Sequence, residues 1–334
     1  MNRNKFTGGI FVFLGACSFG VLSTIVKNAY GEGYTLGQIT GSQAFLGMVM
    51  LWALYSLQKV LSGARRPGSR APLGIAGDGS AGRGVPGGEQ PLRSLARDNS
   101  SPGRTAWWKV AFAGIFTGLV GIFYYQCVKL LPASIAIILL MQYLWISILM
   151  EAVLFRKKPH GMQLVAASIV LVGTVFAAGI FNEAVTLNIK GIGFGFLAAF
   201  CYALFLIASG RVGNDLPVLK KGALMITGSC MVTWMIFPPL FLFDGLFFDG
   251  LYKWGLMLAL LGTVIPPLFF SFGIPRTGVS LGAILSAAEL PVAVVSSSFI
   301  LQENVQALQW VGVFLILFAI VLTNIKFRRT ANNT

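Results

Sequence analysis

RTGVSLGAILSAAELPVAVVSSSFILQE, residues 276–303, contains 22 residues from Val279 to Ile300 that are apolar or small except for one acid, Glu289, with Pro291 two positions later. A helix of that length rises about 33 Å, enough to cross a hydrocarbon layer of about 30 Å. A barrel strand would be about half as long and would alternate in polarity. The stretch therefore reads as a transmembrane helix carrying an acid near mid-depth.

Moving back along the chain by 146 residues meets the same pattern again. Without a gap, Ser134 pairs with Ser280, Ile138 with Ile284, Leu139 with Leu285 and Leu144 with Leu290. The register continues outward through Trp108 and Trp254, Thr117 and Thr263, and Gln163 and Gln309. At a shift of 183, Gly8 falls on Gly191, Phe11 on Phe194 and Leu14 on Leu197. The chain is thus a tandem repeat with an insertion of 37 residues in its first half, the difference between the two shifts.

Ten apolar runs are long enough to span, at 8–26, 39–61, 108–128, 133–155, 161–181, 191–210, 222–242, 251–273, 279–300 and 306–326. Composition agrees: of 334 residues 56% are hydrophobic and 11% charged, with a mean hydropathy of +0.77. The net charge of +14 does not indicate a nucleic-acid partner, because the basic residues mark sidedness. With the N-terminus inside, 21 lie on cytoplasmic segments against four outside: Lys27, Lys129, Lys190 and Lys253. That bias predicts both termini in the cytoplasm. Five spans per half is an odd number, so the two halves are predicted to be inverted, the architecture of alternating-access carriers. The expectation is an all-α protein of ten transmembrane helices, multi-pass in the cell (plasma or inner) membrane.

The segments follow as 1–61 for the first two spans, 62–107 for the insertion, 108–181 for spans 3 to 5, 191–326 for the second repeat and 327–334 for a cytoplasmic tail. The insertion holds ten glycines, five prolines and seven arginines and little that could form a core, which predicts a disordered cytoplasmic linker. The start of the chain imitates a lipoprotein signal at Leu14-Gly15-Ala16-Cys17, but the repeat requires this helix. Cys17, Cys127, Cys201 and Cys230 lie within apolar runs without metal-ligand spacing and read as packing residues.

Three further features resemble the EamA-type transporters of the drug/metabolite transporter superfamily. They are Gly20 followed by Lys27, the segment YYQCVKLLPASIAIILL at 124–140, and the 276–303 stretch with Glu289 and Glu303. The resemblance covers nearly everything outside the linker. It implies a transporter of two five-helix repeats with spans 1, 3, 4, 6, 8 and 9 around a central cavity, and with spans 5 and 10 flanking the bundle or meeting a second subunit. Relatives export or import amino acids, amines, nucleotide precursors and drugs. Two departures stand out. Gln43 occupies a position where many relatives have arginine, and the first-repeat counterpart of Glu303 is Lys157.

An ionised acid at mid-depth is costly unless it meets water or a partner, so Glu289 is expected to face a polar interior. Pro291 frees a backbone carbonyl, as do Pro266 and Pro267 near the middle of span 8, opposite Val120 and Gly121 of span 3. Tyr143, flanked by Gln142 and Trp145, is the repeat counterpart of Glu289. Gln43, Tyr124 and Tyr202 complete the candidate substrate or proton site. For the tyrosines at 124 and 125 an interfacial belt is the competing expectation, and for Glu289 it is a neutral acid bonded between helices. Glu151 is expected to form a local ion pair with Arg156 at the headgroups, with a second coupling acid as the competing expectation.

The expected function is a secondary carrier, an exporter of small metabolites (amino acid, amine or drug-like) working by alternating access, with Glu289 either binding a proton that couples export to the proton gradient or holding a cationic group of the substrate. The partners are a small-molecule substrate and the bilayer, for a monomer or homodimer without cofactor or metal. A flippase for lipid-linked intermediates is the alternative, and an integral-membrane transferase a further one. The single histidine, His160, and the lack of an acidic cluster argue against the transferase. No GxxxxGK[ST] loop supports ATP-driven transport.

Overall fold

The computed structural model describes residues 3–64, 106–131, 133–156, 159, 161–177, 188–300 and 305–330. Most of the expected linker, together with Lys157, His160 and Glu303, lies outside the described residues. Those described form helices and no strand. The first half contributes α1 (Arg3–Gly20), α2 (Leu22–Gly31), α3 (Leu36–Ala64), α4 (Trp107–Leu130), α5 (Ala133–Met141), α6 (Tyr143–Phe155) and α7 (Gly161–Ala177). The second contributes α8 (Ile189–Arg211), α9 (Val218–Ile236), α10 (Tyr252–Leu258), α11 (Ile265–Thr277), α12 (Val279–Ser286), α13 (Glu289–Ile300) and α14 (Ala307–Thr330). Among the described residues seven helical stretches are long and apolar enough to cross a membrane, and 161–177 and 307–322 are shorter apolar helices. The chain is therefore a helical, multi-pass membrane protein.

The repeat is visible in where helices begin. α5, α6 and α7 start at 133, 143 and 161, and α12, α13 and α14 at 279, 289 and 307, each pair differing by 146. Both broken helices break alike. The Gln142 N–H donates to the Leu139 carbonyl at 3.2 Å, and the Ala288 N–H to the Leu285 carbonyl at 3.2 Å, the same three-residue step one repeat apart.

Each half packs its first helix against the other half. α1 runs along α11 as α8 runs along α4. A Cβ on Gly8 would stand 2.8 Å from the Arg276 Cβ, and one on Gly191 would stand 3.1 Å from the Leu130 Cβ, so equivalent glycines meet equivalent positions. α9 crosses α4, α3 crosses α10 and the turn that follows it, and α7 packs on α14. In bilayers, where apolar burial drives little, such small-residue contacts let van der Waals packing hold helices together.

Two expectations, on the seventh and third spans, need correction. The run 222–242 is not one helix: α9 begins at Val218 and stops at Ile236, because Pro238 and Pro239 lack the N–H groups to continue it. A 3-10 turn, Leu240–Leu242, and a π turn, Phe247–Leu251, follow. Span 8 has a π-type segment, Ala259–Val264, just before the prolines, which sit in the first turn of α11. Span 3 is not interrupted opposite them, since α4 runs unbroken through Val120 and Gly121.

Side chains tie the two ends of the bundle. At the end rich in basic residues, the Glu151 carboxylate of α6 accepts from the Ser280 N–H at 3.0 Å and the Ser280 hydroxyl at 2.5 Å, capping α12 across the repeat boundary. Arg211 of α8 lies 3.7 Å from the same carboxylate and covers the Phe155 ring. Lys221, counted in sequence among the inner-face charges, is buried, its Nζ donating to the Ser209 carbonyl and to Asn214. At the opposite end the Trp254 indole N–H donates to Glu32 at 2.6 Å, again joining the two halves.

Candidate functional site

Helix breaks position the site. At Ala287-Ala288 the chain leaves α12 and restarts as α13, so Glu289 is the first residue of a half-helix with Pro291 in its first turn. Glu289 is 7% exposed. Its Oε2 accepts a long hydrogen bond from the Tyr202 hydroxyl of α8, 3.4 Å away. Its Oε1 is buried and has no hydrogen-bond partner among the described residues.

Glu289 and Tyr202 are both among the residues that line a cavity of about 110 Å³ between the two halves. The floor, toward the basic end, is aromatic: Phe19 and Phe205 line the cavity beside Tyr202, and Phe270 packs behind them at 6.0 Å from each. One wall is polar. The Gln43 amide of α3 donates to the Thr263 hydroxyl at 3.0 Å and accepts from the Tyr125 hydroxyl at 3.2 Å. Thr263 and Gly262 belong to the π-type segment, whose Leu261 carbonyl is taken up by the Ser18 hydroxyl at 2.6 Å. The prolines thus do what a helix break at a cavity requires, since a neighbouring helix satisfies a carbonyl of the distorted turn.

Other hydroxyls on the wall bond their own helices, Thr40 to the Leu36 carbonyl and Thr233 to the Ser229 carbonyl. Thr117 of α4 does not. Its Oγ1 is buried and unpartnered among the described residues. Among the described residues, Thr117 and Glu289 are therefore the two that line the cavity and carry a buried polar atom without a partner. No lysine, arginine or histidine occurs among the described lining residues.

Of the sequence candidates, Glu289, Gln43, Tyr124 and Tyr202 meet at this cavity. Tyr124 and Tyr125, for which an interfacial belt had been the competing expectation, both turn inward. Tyr143 stands one layer behind, its ring 4.4 Å from that of Tyr202 and its hydroxyl 3.4 Å from the Ala283 carbonyl. Gln142 and Trp145 do not reach the cavity. Gln142 bonds the Ile138 carbonyl and receives the indole N–H of the exposed Trp145. Pro266, Pro267 and Pro291 shape the wall without lining it.

Sequence reasoning missed several residues. α3 and α9 contribute Thr40, Ser229 and Thr233 to the lining beside Gln43, although spans 2 and 7 were not among those expected around the cavity. Thr117 carried a signal that could have found it, the pairing with Thr263 across the repeat.

Three comparisons bear on this arrangement. The profile of a family described as the EamA-like transporter family matches residues 91–179 and 189–325, more than half of the chain. A solved structure described only as "Crystal structure of protein" aligns with a TM-score of 0.68 at 14% identity, covering 98% of this chain and 99% of that one. At that identity the likeness concerns the fold. No curated protein matches the sequence.

Proposed function

The chain belongs to the EamA-like transporter family, and we propose from that premise that it is a secondary carrier, an exporter working by alternating access around Glu289. The observation that carries the reading is one carboxylate on a cavity-lining residue, buried between two repeated halves at a helix break, with one oxygen unpartnered among the described residues. Burying an acid without a full set of partners is costly, and a fold retains it where a proton or a cation is to be exchanged there.

In this reading ten spans cross the membrane, with both termini in the cytoplasm as the distribution of basic residues implies. The two halves rock about the cavity. The contact of Glu151 with Ser280 and Arg211 closes the cytoplasmic end, and that of Trp254 with Glu32 bridges the outer end. Opening one end breaks its bridge while the other holds. If the carboxylate carries protons, each charge moved across 100 mV supplies about 2.3 kcal/mol to the export of substrate.

The test is transport by the Glu289→Gln variant at matched expression. Loss of transport, or loss of its dependence on external pH, is expected. Undiminished transport with an unchanged pH profile removes Glu289 from the mechanism.

A further inference from the structure

Residues 237–251, between α9 and α10, hold the tripeptide Phe-Asp-Gly twice, at 243–245 and 248–250. In both copies the phenylalanine and the aspartate are exposed, Phe243 by 83% and Phe248 by 76%. The glycine closes the turn with a positive φ, 75° at Gly245 and 124° at Gly250. We propose that this segment is a membrane-surface strap. Leu240, Phe243 and Phe248 enter the leaflet at that end of the bundle, and Asp244 and Asp249 meet the ammonium groups of its zwitterionic phospholipids.

Depth follows from helix length. α9 has 19 residues, so it rises about 28 Å from the basic end, where Lys220 and Lys221 lie in its first turn, to Ile236. From Tyr252 the chain returns through α10 and α11 and reaches Arg276 after about 36 Å. Against a hydrocarbon layer of about 30 Å, both place 237–251 where acyl chains give way to headgroups. Exposed apolar surface runs up to the segment from both sides, through Met231, Met235 and Ile236 of α9 and through Tyr252, Leu256 and Met257 of α10. On helices that cross a membrane such surface faces lipid, and lipid is therefore the occupant that continues it, rather than a soluble protein or a second copy of the chain. The two acids add charge complementarity. Neither meets a basic side chain among the described residues, and an ammonium headgroup offers the counter-charge that an anionic headgroup lacks.

The inner side of the strap holds the cavity wall. Phe237 and Phe241 seat on Gly37 and Gly41 of α3, where a Cβ would come within 3.0 and 2.8 Å of their rings, and Phe247 packs on Phe45 one turn further along. Thr40, Gln43 and Ala44 of the same helix line the cavity. The strap thus ties that wall to the membrane surface. It needs only the membrane-crossing fold, so it can fail without the carrier reading failing.

The experiment makes Phe243→Cys and Phe248→Cys singly in the full chain with its four native cysteines replaced, labels each with the environment-sensitive fluorophore NBD, and reconstitutes them in liposomes of phosphatidylcholine or of phosphatidylglycerol. Met235→Cys is the lipid-exposed reference. In phosphatidylcholine, quenching by lipid with a nitroxide at carbon 5 is expected to match the reference, and quenching by aqueous acrylamide to be weak. In phosphatidylglycerol, acrylamide quenching is expected to rise roughly twofold or more as the two acids are repelled, and Asp244→Asn combined with Asp249→Asn to remove the rise. Acrylamide quenching without nitroxide quenching in both lipids would overturn the strap, as would emission that follows protein density in the membrane, the sign of a second copy. Equal quenching in the two lipids would overturn the choice of ammonium headgroups. Two independent positions keep the test open if one substitution fails to fold.

Discussion

Gly20 and Glu289 meet backbone to side-chain position across the two halves: a Cβ built on Gly20 would stand 2.3 Å from the Glu289 carbonyl oxygen and 2.7 Å from the Val292 Cβ. The glycine is what lets the first span approach the break where the acid sits. The rigid α13 turn behind Glu289 has little room to yield, because Pro291 fixes its backbone.

Gly20→Ala is accordingly expected to push the first span away from α13, at a cost of about 1–3 kcal/mol typical of overpacking. Transport should fall by about tenfold while the protein still reaches the membrane. Gly31→Ala, where a Cβ meets nothing within 4 Å, is the control and should transport normally. Measured uptake at equal membrane abundance checks both.

Tyr202→Phe removes the hydroxyl that reaches Glu289 and leaves the ring against Tyr143. A hydrogen bond of that kind contributes about 0.5–1.5 kcal/mol, so the half-saturating substrate concentration should shift by roughly two- to tenfold. Tyr143→Phe, one layer behind the cavity, should shift it less. Concentration series of initial rates distinguish the two.

The closure at the basic end depends on Glu151. Glu151→Gln keeps a hydrogen-bond acceptor for Ser280 but gives up the charge facing Arg211, whereas Glu151→Ala loses both. Thermal unfolding in detergent should rank wild type above Glu151→Gln and Glu151→Ala lowest, with about 1 kcal/mol for the lost cap alone. Equal stability of all three would show that the contact does not hold the two halves together.

Packing of α4 on α9 is set by glycine. A Cβ on Gly114 would fall 1.8 Å from the Met225 carbonyl oxygen, and one on Gly228 1.8 Å from that of Ala111. Gly114→Ala must separate the helices and should lower the melting temperature well below that of Gly193→Ala, where a Cβ meets nothing within 4 Å. Both are read by the same thermal unfolding assay.

Helix placement was legible in the sequence because it follows from length, hydropathy and repetition. The shift of 146 anticipated the paired starts of α5 with α12 and α7 with α14, and put Tyr143 opposite Glu289, where the structure restarts both broken helices. Rotation of each helix about its axis was less legible. A span that is apolar on every side shows no polar stripe, so pattern alone could not turn Tyr124 and Tyr125 inward or Trp145 outward. Glu289 was found because a lone acid in lipid is conspicuous. Thr117, a common residue in a membrane helix, is inconspicuous by itself, and its pairing with Thr263 across the repeat was the one signal the sequence carried for it. The partners of Glu151 lie on α8 and α12, far away in sequence, and only tertiary structure supplies them.

The central claim is that the space beside Glu289 opens to one face and then the other. Ala293, on the cavity wall one turn beyond Glu289, provides the probe: Ala293→Cys in a chain whose four native cysteines are replaced, labelled with a membrane-impermeant thiol reagent in right-side-out and in inside-out vesicles. Labelling from both faces, slowed by substrate in each, is the expected result. Labelling from one face alone under every condition, or from neither, would contradict the account.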